Sequence, residues 1–117
     1  MFVHTVLFHL KKDLPNDAIS EFESALNSLK AITVSRSTYI GTVAETKDRP
    51  VVRSDYTYNL TILFDDIEGH NQYQVDPLHK AFVAQCSKYW THILRSLIRT
   101  NFYRTQLYKP LILCLNL

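Results

Sequence analysis

Polar and apolar positions change their period along this chain, and each change marks an element. Residues 2–10, Phe-Val-His-Thr-Val-Leu-Phe-His-Leu, are rich in β-branched and aromatic side chains and short enough for a strand. A two-residue period puts His4, Val6, Phe8 and Leu10 on one face and Val3, Thr5, Leu7 and His9 on the other. Both faces are largely apolar, which predicts that both are covered. The period then lengthens. Ile19, Phe22, Leu26 and Leu29 recur at helical spacing while Glu21, Glu23, Ser24 and Lys30 face away, predicting an amphipathic helix of roughly 15 residues. Residues 13–16 supply its capping groups with Pro15 in the first turn, and residues 31–34 end it.

Residues 37–44 read as a second strand in which Gly41 marks a bulge or a close backbone approach, and residues 45–53 read as an exposed loop. A third strand is clearer, because Tyr56, Tyr58, Leu60, Ile62 and Phe64 alternate with Asp55, Thr57, Asn59, Thr61 and Leu63. Acidic residues 65–68 cap a short helix through Tyr73, and Pro77 restarts the chain. Residues 78–89 are helical, with Phe82, Cys86 and Tyr89 three to four apart. The order β-α-β-β-α opens a ferredoxin-like α+β unit, which needs one more strand. Two sources are open: residues 91–98, or a last helix running to Thr100 with Leu111 to Leu117 as the strand.

Composition narrows the chemistry. The 117 residues contain two glycines, Gly41 and Gly69, where average usage would give roughly eight. Glycine-rich phosphate loops therefore cannot be built, and nucleotide enzymes that depend on them are excluded. Cys86 and Cys114 are far apart with no C-x-x-C partner, so they read as small buried hydrophobes in a reducing compartment. The amino terminus has no basic region ahead of its apolar run, and no uncharged apolar run approaches the roughly 18 residues of a membrane helix. A cytoplasmic domain with no membrane partner is expected.

Charge is unevenly placed. Residues 1–90 hold nine Lys/Arg against eleven Asp/Glu, whereas residues 91–117 hold Arg95, Arg99, Arg104 and Lys109 with no acid. Four cations over that length are too sparse for a nucleic-acid face and read as a solvated end of the chain. No His/Cys grouping has zinc spacing, no serine sits in a nucleophile motif, and Asp65, Asp66 and Glu68 read as helix cap and dipole partners rather than as cation ligands.

Three segments carry a family resemblance. They are residues 2–11, a histidine-containing first strand ending in lysine; residues 55–64, the central strand; and residues 73–82, Tyr-Gln-Val-Asp-Pro-Leu-His-Lys-Ala-Phe, with a tyrosine and then a proline followed two residues later by a histidine. In order and spacing the chain resembles the stress-responsive A/B barrel domain family, the dimeric α+β barrel proteins, over about residues 2–94. The resemblance implies a domain over residues 2–98 with a basic and apolar extension over 99–117. It also implies a homodimer in which one sheet face meets the helices and the other meets the partner subunit, with His9 at that interface.

One plant branch of that family contains polyketide cyclases that close a linear poly-β-keto thioester by intramolecular aldol condensation without metal or cofactor. Resemblance to them implies that His79 is the general base and that Tyr73 holds a substrate carbonyl. A phenol hydrogen-bonded to the enolate oxygen would supply the electrostatic half of such a reaction. His4 is also retained, whereas the cyclases' central-strand histidine is Tyr58 here and the histidine before the proline is Asp76. If the strands present these faces to the helices, His4, Val6, Phe8, Tyr58 and Leu60 share a small-molecule cavity with Phe22, Leu26, Phe82 and Trp90. Two other uses of the barrel are carried alongside: a non-catalytic stress-associated dimerisation or assembly protein, and a cofactor-free monooxygenase or haem-degrading relative.

Overall fold

The computed structural model describes residues 1–47 and 49–100. Four strands, β1 (Phe2–Leu10), β2 (Ser37–Gly41), β3 (Tyr58–Phe64) and β4 (Trp90–Arg99), form one antiparallel sheet in the order β2-β3-β1-β4. Three helices, α1 (Asn16–Ser28), α2 (Ile67–Gln74) and α3 (Pro77–Cys86), complete a ferredoxin-like α+β fold. The alternating pattern of β1 and β3 becomes an inner face. Phe2, His4, Val6 and Phe8 pair with Phe64, Ile62, Leu60 and Tyr58 in register, and all eight are buried against the helices.

The closing strand comes from residues 90–99, so the second source left open by the sequence, a helix to Thr100, is overturned. After α3 one 3₁₀ turn, Ser87–Tyr89, ends the helical run, and Trp90, Thr91, Ile93 and Ile98 enter a strand that suits their β-branched and aromatic character. β4 pairs with the whole length of β1, with one bulge between His9 and Leu10. Leu111 to Leu117, Cys114, Arg104 and Lys109 lie outside the described residues. Cys86 is buried as expected, and burial pushes its thiol pKa up.

Local chemistry corrects three smaller expectations. Gly41 ends β2 in unbroken register with Asn59, and a Cβ there would meet nothing within 4 Å, so it marks neither a bulge nor a close approach. Pro15 stands at the N-cap of α1 rather than in its first turn. Its carbonyl accepts from the Ala18 and Ile19 N–H groups at 3.0 and 3.2 Å, while Asp13 takes the left-handed φ of 64° that turns the chain out of β1. The third strand begins at Tyr58, leaving Asp55 and Tyr56 in the preceding loop.

The cap expected from residues 65–68 forms, and the structure adds a second one at Asp76. Asp66 accepts from Gly69 N–H at 2.9 Å to open α2, and Asp76 accepts from Leu78 N–H at 2.8 Å to open α3, with Pro77 at its first position.

Candidate functional site

Between the inner sheet face and the helices lies a cavity of about 330 Å³. β1 contributes His4, Val6 and Phe8; β3 contributes Leu60 and Ile62; β4 contributes Trp90, Ile93 and Arg95. Tyr73 and Gln74 at the end of α2, His79, Phe82 and Val83 of α3, and Leu29 beyond α1 close it. A larger concavity of about 560 Å³ is bounded only by residues 43–56, the loop between β2 and β3 and its flanks. It has no such sheet-and-helix frame, and the chemistry-bearing side chains are in the smaller cavity.

The polar groups there are few. Tyr73 is fully buried and its hydroxyl has no hydrogen-bond partner among the described residues. Burial, assisted by the Asp76 carboxylate, raises its pKa, so the phenol keeps its proton at neutral pH. His79 is half-buried with its ring centroid 5.2 Å from that of Tyr73. The pair is brought together by the break between α2 and α3, where Asp76 N–H donates to the Tyr73 carbonyl at 3.1 Å. A regular helix would not place residues six apart on one face; two helices meeting at Val75 and Asp76 do.

Burial lowers the His79 pKa, the Gln74 carbonyl and Asp76 pull it back up, and Arg95 and His70 lower it further. The net direction is down, leaving a neutral imidazole able to accept a proton at pH 7. His4 is 2% exposed, and neither ring nitrogen has a partner among the described residues. Burial, followed by His70, Arg95 and His79, lowers its pKa to about 4. Its ring meets His70 edge-on at 4.9 Å. A neutral base, a protonated phenol and a neutral buried imidazole thus face an apolar cavity, an arrangement suited to moving a proton on carbon beside a carbonyl.

Eight of the eleven expected site residues line this cavity: His4, Val6, Phe8, Leu60, Tyr73, His79, Phe82 and Trp90. Phe22, Leu26 and Tyr58 do not. The Phe22 ring is enclosed by those of Phe8, Tyr58, Phe82 and Trp90 at 5.3 to 6.5 Å, so α1 fills that half of the sheet. Leu26 is fully buried in the same core. The Tyr58 hydroxyl is drawn away to donate to Glu23 of α1 at 2.8 Å, and burial with that carboxylate pushes its pKa up to about 12. Arg95, Gln74, Leu29, Ile62, Val83 and Ile93 are the lining residues that sequence reasoning missed. Arg95 and Ile93 become legible once β4 is in register, because they pair with Val6 and Phe8 and share their face.

Among the described residues no group of three or more His, Cys, Asp or Glu could hold a metal ion, and no helix is long and apolar enough to cross a membrane. A family model for the stress responsive A/B barrel domain matches residues 2–96. Among solved structures, a Dabb family protein with a ferredoxin-like fold from Mesorhizobium loti is 23% identical with a TM-score of 0.67, over 84% of this chain and 94% of that one. A dimeric ferredoxin-like protein of unknown function from Thermobifida fusca is 20% identical with a TM-score of 0.66, over 83% and 88% of the two chains. The hydroxynitrile lyase from Passiflora edulis is 17% identical with a TM-score of 0.65, over 86% and 94%. No curated protein matches the chain.

Proposed function

From the premise that the chain belongs to the stress-responsive A/B barrel domain family, we propose that it is a homodimer whose helix-covered cavity binds a small, polyketide-like carbonyl compound and closes it by an intramolecular aldol reaction. The observation that carries this reading is the convergence of His79, Tyr73 and His4 on one apolar cavity. His79, neutral at pH 7, takes a proton from the carbon between two carbonyls. The electron pair moves onto the carbonyl oxygen, where the Tyr73 hydroxyl donates to the developing enolate. The enolate carbon then attacks a distant ketone of the same molecule. A C–C bond forms, the resulting alkoxide recovers the proton from the His79 imidazolium, and no electrons are exchanged with another reactant. A hydroxynitrile lyase on the same fold supports an enzymatic use of the scaffold.

The dimer reading rests on the opposite sheet face. Val3, Leu7, Leu63, Leu94 and Ile98 lie there with no described helix over them, and Leu94 and Ile98 are 39% and 50% exposed. A similar solved structure described as dimeric supports a homodimer.

The test is to offer a linear poly-β-keto substrate, as its thioester and as the free acid. Cyclised product that disappears with His79→Ala is expected. No turnover of either form and no ligand-induced rise in melting temperature would overturn the reading, leaving dimerisation as the main property of the protein.

A further inference from the structure

Arg95 stands apart from the other residues of the cavity. It is exposed, it lines the cavity with His79 and His4, and among the described residues it forms no ion pair. The acid whose field reaches His79, Asp76, is engaged in capping α3 through Leu78 N–H at 2.8 Å. The other ionisable groups that act on this corner are His4, His70 and His79, none of which supplies negative charge. A guanidinium with five N–H donors therefore borders an apolar chamber in which two buried groups, the Tyr73 hydroxyl and the His4 ring, lack protein partners among the described residues.

We propose that Arg95 is a specificity residue that selects ligands bearing a carboxylate, so that the substrate enters as a linear β-keto carboxylic acid with its carboxylate on the guanidinium at one end and its carbonyls at Tyr73 and His79. The inference rests on the cavity being a binding site. Position supports the assignment. Arg95 pairs with Val6 in register, two residues along β1 from His4, so the guanidinium rises from the same sheet face as the buried imidazole. Arg95 also lowers the pKa of both His4 and His79, which locates its charge within electrostatic reach of both rings. A planar fork matched to a carboxylate would hold the ligand in one orientation, which a wholly apolar cavity could not do. That fixed orientation decides which of several β-dicarbonyl carbons lies against His79.

The test compares 3-oxooctanoate with 3-oxooctanamide, which share shape and differ in charge, by titration calorimetry at low salt. The wild-type protein is expected to bind the carboxylate about tenfold or more tightly than the amide. Arg95→Met, which keeps the apolar stem, should abolish the preference, and Arg95→Lys should retain part of it. Equal affinity for the two ligands in the wild type, or an unchanged preference in Arg95→Met, would overturn the role of Arg95 while leaving the cavity as a binding site. Failure of both ligands to bind would overturn the cavity reading itself and this one with it.

Discussion

The two faces of the sheet are made from the same strands and do different work. On the helix-covered face, Val6, Phe8, Leu60 and Ile62 border a cavity into which a few polar groups are introduced. On the open face, Thr5 and Thr61 approach through their hydroxyls at 3.5 Å, and His9 and His92 stack at 3.9 Å. His9 also lies 3.7 Å from the exposed Asp55 carboxylate. In the cavity the Tyr73 hydroxyl and the His4 ring nitrogens have no hydrogen-bond partner among the described residues, whereas on the open face Thr5 and Thr61 meet across the strands and the His9 ring nitrogens, though buried, are unpartnered against His92. Polar atoms held without protein partners in an apolar cavity are disposed towards a ligand. A partly exposed surface of mixed apolar and polar groups suits a second protein surface.

The sharpest way to break this comparison is to alter one face and read the other. If His79 is the general base we propose, His79→Ala should lower cyclisation by about 10² to 10⁴-fold with a native dimer mass retained. A dimer lost along with activity would show that the faces are not separable. Leu94→Lys together with Ile98→Lys should convert the protein to a monomer by light scattering, with its circular dichroism intact, since both side chains are already partly exposed in the single chain. A dimer unaffected by two charges there would place the interface elsewhere.

Next in size is the filled part of the inner face. Phe22→Ala should cost about 3 to 5 kcal/mol in chemical denaturation, because it empties an aromatic cluster. Tyr58 and Tyr73, both buried, give a smaller contrast. Tyr58→Phe loses the bond to Glu23 and should cost about 1 kcal/mol, whereas Tyr73→Phe removes a hydroxyl without a described partner and should leave stability unchanged or raised while lowering turnover.

Acid should act on both function and stability through the inner face. His4 titrates near 4 in the folded chain against 6.5 for a free imidazole, so between those values the unfolded chain binds the extra proton. Stability is then full above pH 6.5 and falls as the pH drops towards 4, by roughly 3 kcal/mol. His4→Gln should flatten that part of the profile. The His79 pKa is shifted down as well, so the acid limb of turnover should lie below pH 6.5.

Much of the inner face was legible in the sequence because a two-residue period assigns faces without knowledge of the partner strand. His4, Val6, Phe8 and Leu60 could be placed that way. Tyr58 obeys the same alternation yet misses the cavity, because face is a property of a strand and cavity is a property of what packs above it. There α1 brings Phe22 and Glu23 down onto the sheet.

Tyr73 and His79 could not be joined by any regular period, and their meeting depends on a helix break set by Asp76 and Pro77. Asp76 caps α3 and adds a carboxylate near His79. Arg95 was hidden for a different reason. Apolar residues 90–98 fit a helix face as well as a strand, and without a strand phase no side could be assigned to the arginine between them.

The central claim is that the helix-covered face holds a working base. It is tested most directly by following solvent deuterium uptake at C2 of 3-oxooctanamide, which needs proton abstraction alone and no ring closure. Uptake above the buffer rate is expected with the wild-type protein, reduced to the buffer rate by His79→Ala at unchanged melting temperature. Uptake at the buffer rate with the wild type, or equal acceleration by His79→Ala, would contradict it.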